Sequence, residues 1–295
     1  MKIFLLFMLI ISSVSYADEN GVLLNASRQQ KTWDLTKDQQ NHYSDMALFV
    51  APVAISIYGV LSWGWITNGM RFQTRDEKWL QRNTYAGGAD KFSHGYSHFI
   101  ITRGYYDVFS RMGLSPEEAN FKSMIGGAVT GLVIELGDGL SHYGYSWEDL
   151  ISDLAGVGFA GLLNAYPHLD ELIGFQIQWW PKSHPAAHPN QKFESPIDDY
   201  NNQKFAINIR ASGIEALNEH WATRYLNLDF GYYSRGYKAD ESNPGSLPEL
   251  FKRNAFVGMS INLAKLLEPK SSVAGTIFKY YQTPFNAVEF HKFPI

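Results

Sequence analysis

Residues 46–66 read MALFVAPVAISIYGVLSWGWI, 21 consecutive positions without a charged side chain. As a helix rising about 1.5 Å per residue, the run covers roughly 30 Å, the hydrocarbon thickness of a bilayer. Two readings follow: a membrane-spanning helix, or the buried central helix of a soluble bundle. Pro52, Gly59 and Gly64 interrupt the run. Membrane helices tolerate such residues because neighbouring groups satisfy the freed backbone. Trp63 and Trp65 stand near its end, like interfacial anchors. The balance favours membrane contact.

The segment before this run reads as export machinery. Lys2 precedes an apolar stretch over 3–14, and Ser15-Tyr16-Ala17 fits a small-x-small cleavage site. The expected leader is 1–17, with an uncleaved anchor as the alternative. A polar amino-terminal segment, 18–45, follows. Of the 295 residues, 45% are apolar, which suffices for a packed core. The net charge is -4 and no basic stripe is present, which argues against nucleic acid as a partner. Cysteine is absent. Disulfides, thiolate metal sites, cysteine nucleophiles and an acylated cysteine are therefore excluded for this chain.

Asp90-Lys91-Phe92-Ser93-His94-Gly95-Tyr96-Ser97-His98 follows a Gly87-Gly88 break. As a helix to about Arg111, it sets Asp90, His94 and His98 at i, i+4 and i+8, with Lys91 beside them. Ser115-Pro116-Glu117-Glu118 is a helix start with Ser115 as N-cap, Pro116 at N1 and Glu118 at N3. That helix is expected to continue to about Tyr143 and carries Glu135, Asp138 and His142. Ser146 opens a further helix to about Tyr166 with a second capping box to Asp149, and this helix carries Asp153. Gly127/Gly131 and Gly156/Ala160 are small-xxx-small pairs that permit close helix approach. Polar groups within such apolar helices are costly unless paired or functional.

A Pro-rich stretch around Trp179-Trp180-Pro181, His184 and His188 marks a boundary. Beyond it, residues 204–210, 225–232 and 256–263 alternate with period two and read as half-buried strands. From 262 the third could instead begin a helix. The expected fold is mainly α: a helical bundle of about four apolar helices over 46–170, then a smaller α+β or β-rich carboxy-terminal region over 171–295.

Glu77-Lys78-Trp79, GGADKFSHGYSHFIITRG, GLVIELGDGL and SWEDLISDLAGVGFAG together resemble the YfiM-type family of predicted periplasmic lipoproteins, a domain of unknown function. The order Asp-Lys-x-x-His, then Glu in an apolar helix, then Asp before a Gly-rich helix also resembles VanZ-like membrane proteins. The resemblance covers roughly 70–165. It implies an envelope location on the periplasmic side and a helical bundle, and it supplies no reaction.

Three chemistries fit the polar residues. A divalent metal could be held by His94 and His98, with Glu135, Asp138 or His142 completing the shell. Acid–base hydrolysis could use His94 as base, oriented by Asp90 or Asp153, with Lys91 stabilising an anionic group and Glu135 as a further catalytic carboxylate. Or the groups satisfy one another as a buried network that fixes helix register. Asp149 fits a capping role, and His184, His188 and His220 fit solvated loops. Two function classes stay open: an envelope protein that binds a membrane lipid or an envelope protein, and a membrane-associated hydrolase or lipid-modifying enzyme.

Overall fold

The computed structural model describes residues 32–66, 69, 71–179, 199–237, 251–267, 272–284 and 286–294. The expected leader, the polar segment up to residue 31, and Trp180, Pro181, His184 and His188 lie outside the described residues. Two compact units emerge among those described: residues 77–96 with those from 167 onward, and residues up to 76 with 97–166.

The second of these units is helical. Helix α1 (Lys37–Ala47) is capped reciprocally by Thr36 and Gln39. Helix α2 (Val50–Tyr58) follows after two residues and widens into a π-turn over Gly59–Trp63. The run ends at Gly64, whose φ of 68° is left-handed and suits a residue without a Cβ. By length and composition alone, Lys37–Trp63 is long and apolar enough to cross a membrane. Trp65 then folds back and is buried, its ring filling the space over Gly59 and Gly137. Helix α3 (Ala89–Arg111) starts in the sheet unit and enters the helical one at residue 97.

Helix α4 (Pro116–Gly139) opens on the Ser115/Glu118 capping box expected from the sequence, and ends at Gly139 rather than near Tyr143. Helix α5 (Trp147–Ala165) packs on α4. The small residues make that packing close. A Cβ on Gly131 would stand 2.9 Å from Asp153 Oδ2, so nothing larger than glycine fits without displacing the carboxylate.

The other unit corrects the fold class. The carboxy-terminal part is no smaller appendage to a mainly α protein; it builds a six-stranded mixed sheet of order β5-β1-β2-β3-β4-β6. After α6 (Pro167–Leu172) come β1 (Ile173–Trp179), β2 (Gln203–Arg210), α7 (Glu215–Asn218), β3 (Leu226–Arg235) and β4 (Lys252–Ile261). Then follow α8 (Leu263–Leu267), α9 (Ser272–Tyr280), β5 (Tyr281–Gln282) and β6 (Ala287–Pro294). Among the described residues, β1–β5 is the one parallel pair of this sheet. The three strands expected from alternation are β2, β3 and β4. The helical alternative at 262 also holds, since Asn262 Oδ1 accepts the Lys265 N–H at the start of α8.

The register gives each face its composition. One set of cross-strand rows reads Ile173–Ile209–Leu228–Met259–Val288, Phe175–Ile207–Phe230–Val257–His291 and Ile177–Phe205–Tyr232–Ala255–Phe293. The opposite face carries Gln176, Gln178, Asn208, Arg210, Asn227, Asp229 and Ser260, all buried. Residues 276–283 lie across that polar face: Gln176 donates to the Phe278 carbonyl, Arg210 to that of Lys279 and Gln178 to that of Thr283. On the apolar face, Phe92 of α3 stacks on Tyr232 and Tyr96 meets Phe175 edge-on.

Candidate functional site

The helix α3 supplies the first group of candidate residues, within the sheet unit. Ala86, Gly87 and Gly88 have φ of 47°, 63° and 82°, a left-handed turn that starts the helix. The Gly-Gly pair, read as a flexible break, is packed. Tyr232 Oη donates to the Gly87 carbonyl at 2.5 Å, and a Cβ on Gly87 would meet the Tyr237 ring at 2.6 Å. The turn delivers Asp90 and Lys91 to the interior. Lys91 Nζ donates to Glu77 Oε2 and to Asp90 Oδ2, both at 2.6 Å, and all three side chains are buried. One cation thus bridges two carboxylates, and the pair attractions offset the desolvation of each. His94 follows one turn later, half-buried. Glu77 was missing from the expected site residues, because it lies in a polar connection with no periodicity to place its side chain.

The second group lies in the helical unit. His98 Nδ1 stands 2.6 Å from Asp153 Oδ1, and both residues are 0% exposed. The carboxylate makes Nδ1 the proton-bearing nitrogen, so Nε2 is the acceptor. The sequence suggested Asp153 as a partner for His94; within the helical unit it orients His98. Glu135 is buried on α4, and its Oε2 accepts the Ser146 N–H at 2.9 Å. A second capping box would have required Asp149 to take that N–H. Ser146 still caps α5, its Oγ accepting the Asp149 N–H. Glu135 therefore ties α4 to the start of α5, and Asp149 is buried in the first turn.

Asp138 and His142 are turned to other work. Asp138 Oδ1 accepts the Trp65 indole N–H at 2.7 Å, while His142 is exposed with its ring 4.1 Å from that of Tyr143. Deeper in the unit, Arg103 donates to Asn164, which donates to Asn120, which donates to the Gly161 carbonyl. This chain of polar side chains was not expected from the sequence.

An imidazole held by a buried carboxylate can accept a proton at Nε2 or ligate a cation there. A lysine held between two carboxylates is a fixed positive charge suited to neutralising buried acids. Neither arrangement by itself names a substrate.

Residues 76–165 match the family model described as predicted periplasmic lipoprotein (DUF2279). The matched segment carries every candidate residue from Glu77 to Asp153, and the VanZ-like pattern is not part of the match. A periplasmic family agrees with the expected exported, envelope-associated location. No curated protein and no solved structure matches the chain.

Proposed function

We propose that this is a membrane-embedded protein of the cell envelope, whose helical unit faces lipid and keeps a polar interior organised by His98–Asp153. The observation that carries this reading is the distribution of polarity on α4. Phe121, Ile125, Val129, Leu132 and Leu136 recur every three or four residues and are exposed. The buried positions of the same helix are Ser, Thr, Glu, Ala and Gly, with Ile134 the one large apolar residue among them. A helix of a soluble protein buries its apolar stripe and wets its polar one. Here the order is reversed, as expected where hydrocarbon is the solvent and small and polar residues make the helix contacts. Large apolar side chains are exposed along α2 and the π-turn as well, where Val53, Ile57, Val60 and Leu61 face outward.

The role that fits such a body is to bind a membrane lipid or a membrane-resident envelope protein. A charge placed in the stripe tests the embedding. Val129→Lys faces outward and touches none of the polar interior. In hydrocarbon it costs about 2.5–3.5 kcal/mol, so the variant should leave the membrane fraction or fail to accumulate there. Unchanged membrane retention, with unchanged stability, would contradict lipid contact at that face.

The second reading, a hydrolase or lipid-modifying enzyme, is favoured by the His98–Asp153 geometry. It predicts that Asp153→Asn alters turnover of an added lipid substrate while leaving the fold intact. If Asp153→Asn only lowers stability, the pair is structural.

A further inference from the structure

Asp229 lies on β3 with 0% exposure, and among the described residues no lysine or arginine bonds it. Its hydrogen bonds come from neutral groups: the Asn208 amide, the Ser260 hydroxyl at 3.1 Å and the Gln282 amide at 3.2 Å. Asn208 stands directly opposite Asp229, and Ser260 directly opposite Asn227. These side chains therefore fill two adjacent rows on one face of β2, β3 and β4. Arg210 shares that face and donates to the carbonyls of Asp170 and Lys279. Burial pushes the Asp229 carboxyl up, and the three hydrogen bonds oppose that push. Donors converging on both oxygens are what a charged carboxylate gathers.

That charge fixes the direction of each amide around it. An ionised carboxylate only accepts, so Asn208 turns its Nδ2 towards it; the reverse orientation would set two oxygens together. Ser260 gives its single O–H to Asp229 Oδ1, so towards Asn227 it can only accept, from Nδ2 at 3.2 Å. Both amide carbonyl oxygens are thereby turned out of this chain of hydrogen bonds. Asn208 Oδ1 and Asn227 Oδ1 are buried and accept no hydrogen bond among the described residues. Buried acceptors in that state are costly, and a buried carboxylate without a cation is costlier. All three groups call for positive charge.

We propose that Asp229, Asn208 and Asn227 hold a monovalent metal cation inside the sheet unit. The donors are all oxygens, which suit hard cations rather than zinc or copper. One carboxylate matches one positive charge, whereas a divalent ion would leave the buried site charged. Sodium and potassium share this chemistry. The donors come from separate strands that meet only in the fold, so binding is coupled to folding and reads out as stability.

The test is the melting temperature of the purified full chain in non-ionic detergent, titrated with sodium, potassium, calcium or choline chloride at constant ionic strength. The inference, which stands apart from membrane embedding, expects a saturating rise with sodium or potassium and none with choline. Asp229→Asn should abolish the rise, whatever its own melting temperature. Asn227→Asp adds a second carboxylate and should move the response to calcium, which keeps the test open if Asp229→Asn fails to fold. An equal rise with every salt, choline included, overturns the inference. A parent chain that responds to calcium alone overturns the monovalent assignment. Indifference to all four salts overturns it as well; if the melting temperature then falls as pH rises, a proton neutralises Asp229 instead.

Discussion

His98 Nδ1 stands 2.6 Å from Asp153 Oδ1, and Asp153 packs directly on Gly131 of α4, so the pairing depends on how closely α4 and α5 approach. Breaking a buried pair by removing one partner costs about 3–5 kcal/mol. Asp153→Ala should therefore lower stability by that order, and the double variant with His98→Ala should recover part of the loss. Equilibrium unfolding in detergent micelles measures the cycle, and additive effects would show that the pair is not coupled. Gly131→Ala acts on the same contact from α4. Its Cβ would stand 3.0 Å from the Asp153 Cβ, and overpacking of this kind costs about 1–3 kcal/mol. A neutral Gly131→Ala would mean that α5 yields easily. In the sheet unit, burial pushes the Asp199 carboxyl up, against the hydrogen bonds from Asn202 and Trp179. A carboxyl raised in the fold contributes stability at low pH, fully present below its unfolded value of about 3.9, and loses it as pH rises through the raised value. Relative to Asp199→Asn, the parent chain should therefore lose stability across that rise. A difference independent of pH would contradict the raised carboxyl.

At the scale of elements, the legible parts were those with a local code. The Ser115 cap and the start of α3 follow from residue types that act within one turn, whereas Gly64, read as an interruption inside the apolar run, ends it. Strands β2 to β4 were visible because their period of two is uninterrupted. Strand β1 has the same alternation, Ile173, Phe175 and Ile177 against Gly174, Gln176 and Gln178, but it sits beside the Pro-rich boundary and was absorbed into it. Strand β6 is broken by a register shift opposite Val257/Gly258, which scrambles its period. What alternation cannot tell is which face is buried, and these strands carry buried residues on both: Asn208 and Asp229 on one, Phe205 and Tyr232 on the other. The candidate site was legible in type but not in pairing. Asp153 went to His98, Lys91 to Glu77 as well as Asp90, and Asp138 to Trp65, because partners across helices are chosen by tertiary packing. The turn before α3 makes a separate prediction. Gly87→Ala combines a left-handed φ with contact on Tyr237 and should cost about 1–3 kcal/mol, read as lower protection of α3 amides in hydrogen exchange. Full protection in that variant would show that the turn adapts.

For the whole molecule, the outward apolar stripe of α4 stands beside conventional buried apolar residues, Phe109 and Leu163 in the helical unit and Phe205 and Phe256 in the sheet unit. Water does not favour the α4 stripe, which leaves apolar area exposed while Glu135 and Asp153 are buried. The proposed membrane embedding of the helical unit accounts for that stripe. The account therefore stands or falls on the solvent of the outer surface. The most direct measurement is the partition of the full chain from isolated envelopes after alkaline carbonate extraction. The account predicts that it stays with the membrane pellet and is released only by detergent. Release into the supernatant as a folded, detergent-free protein would contradict it.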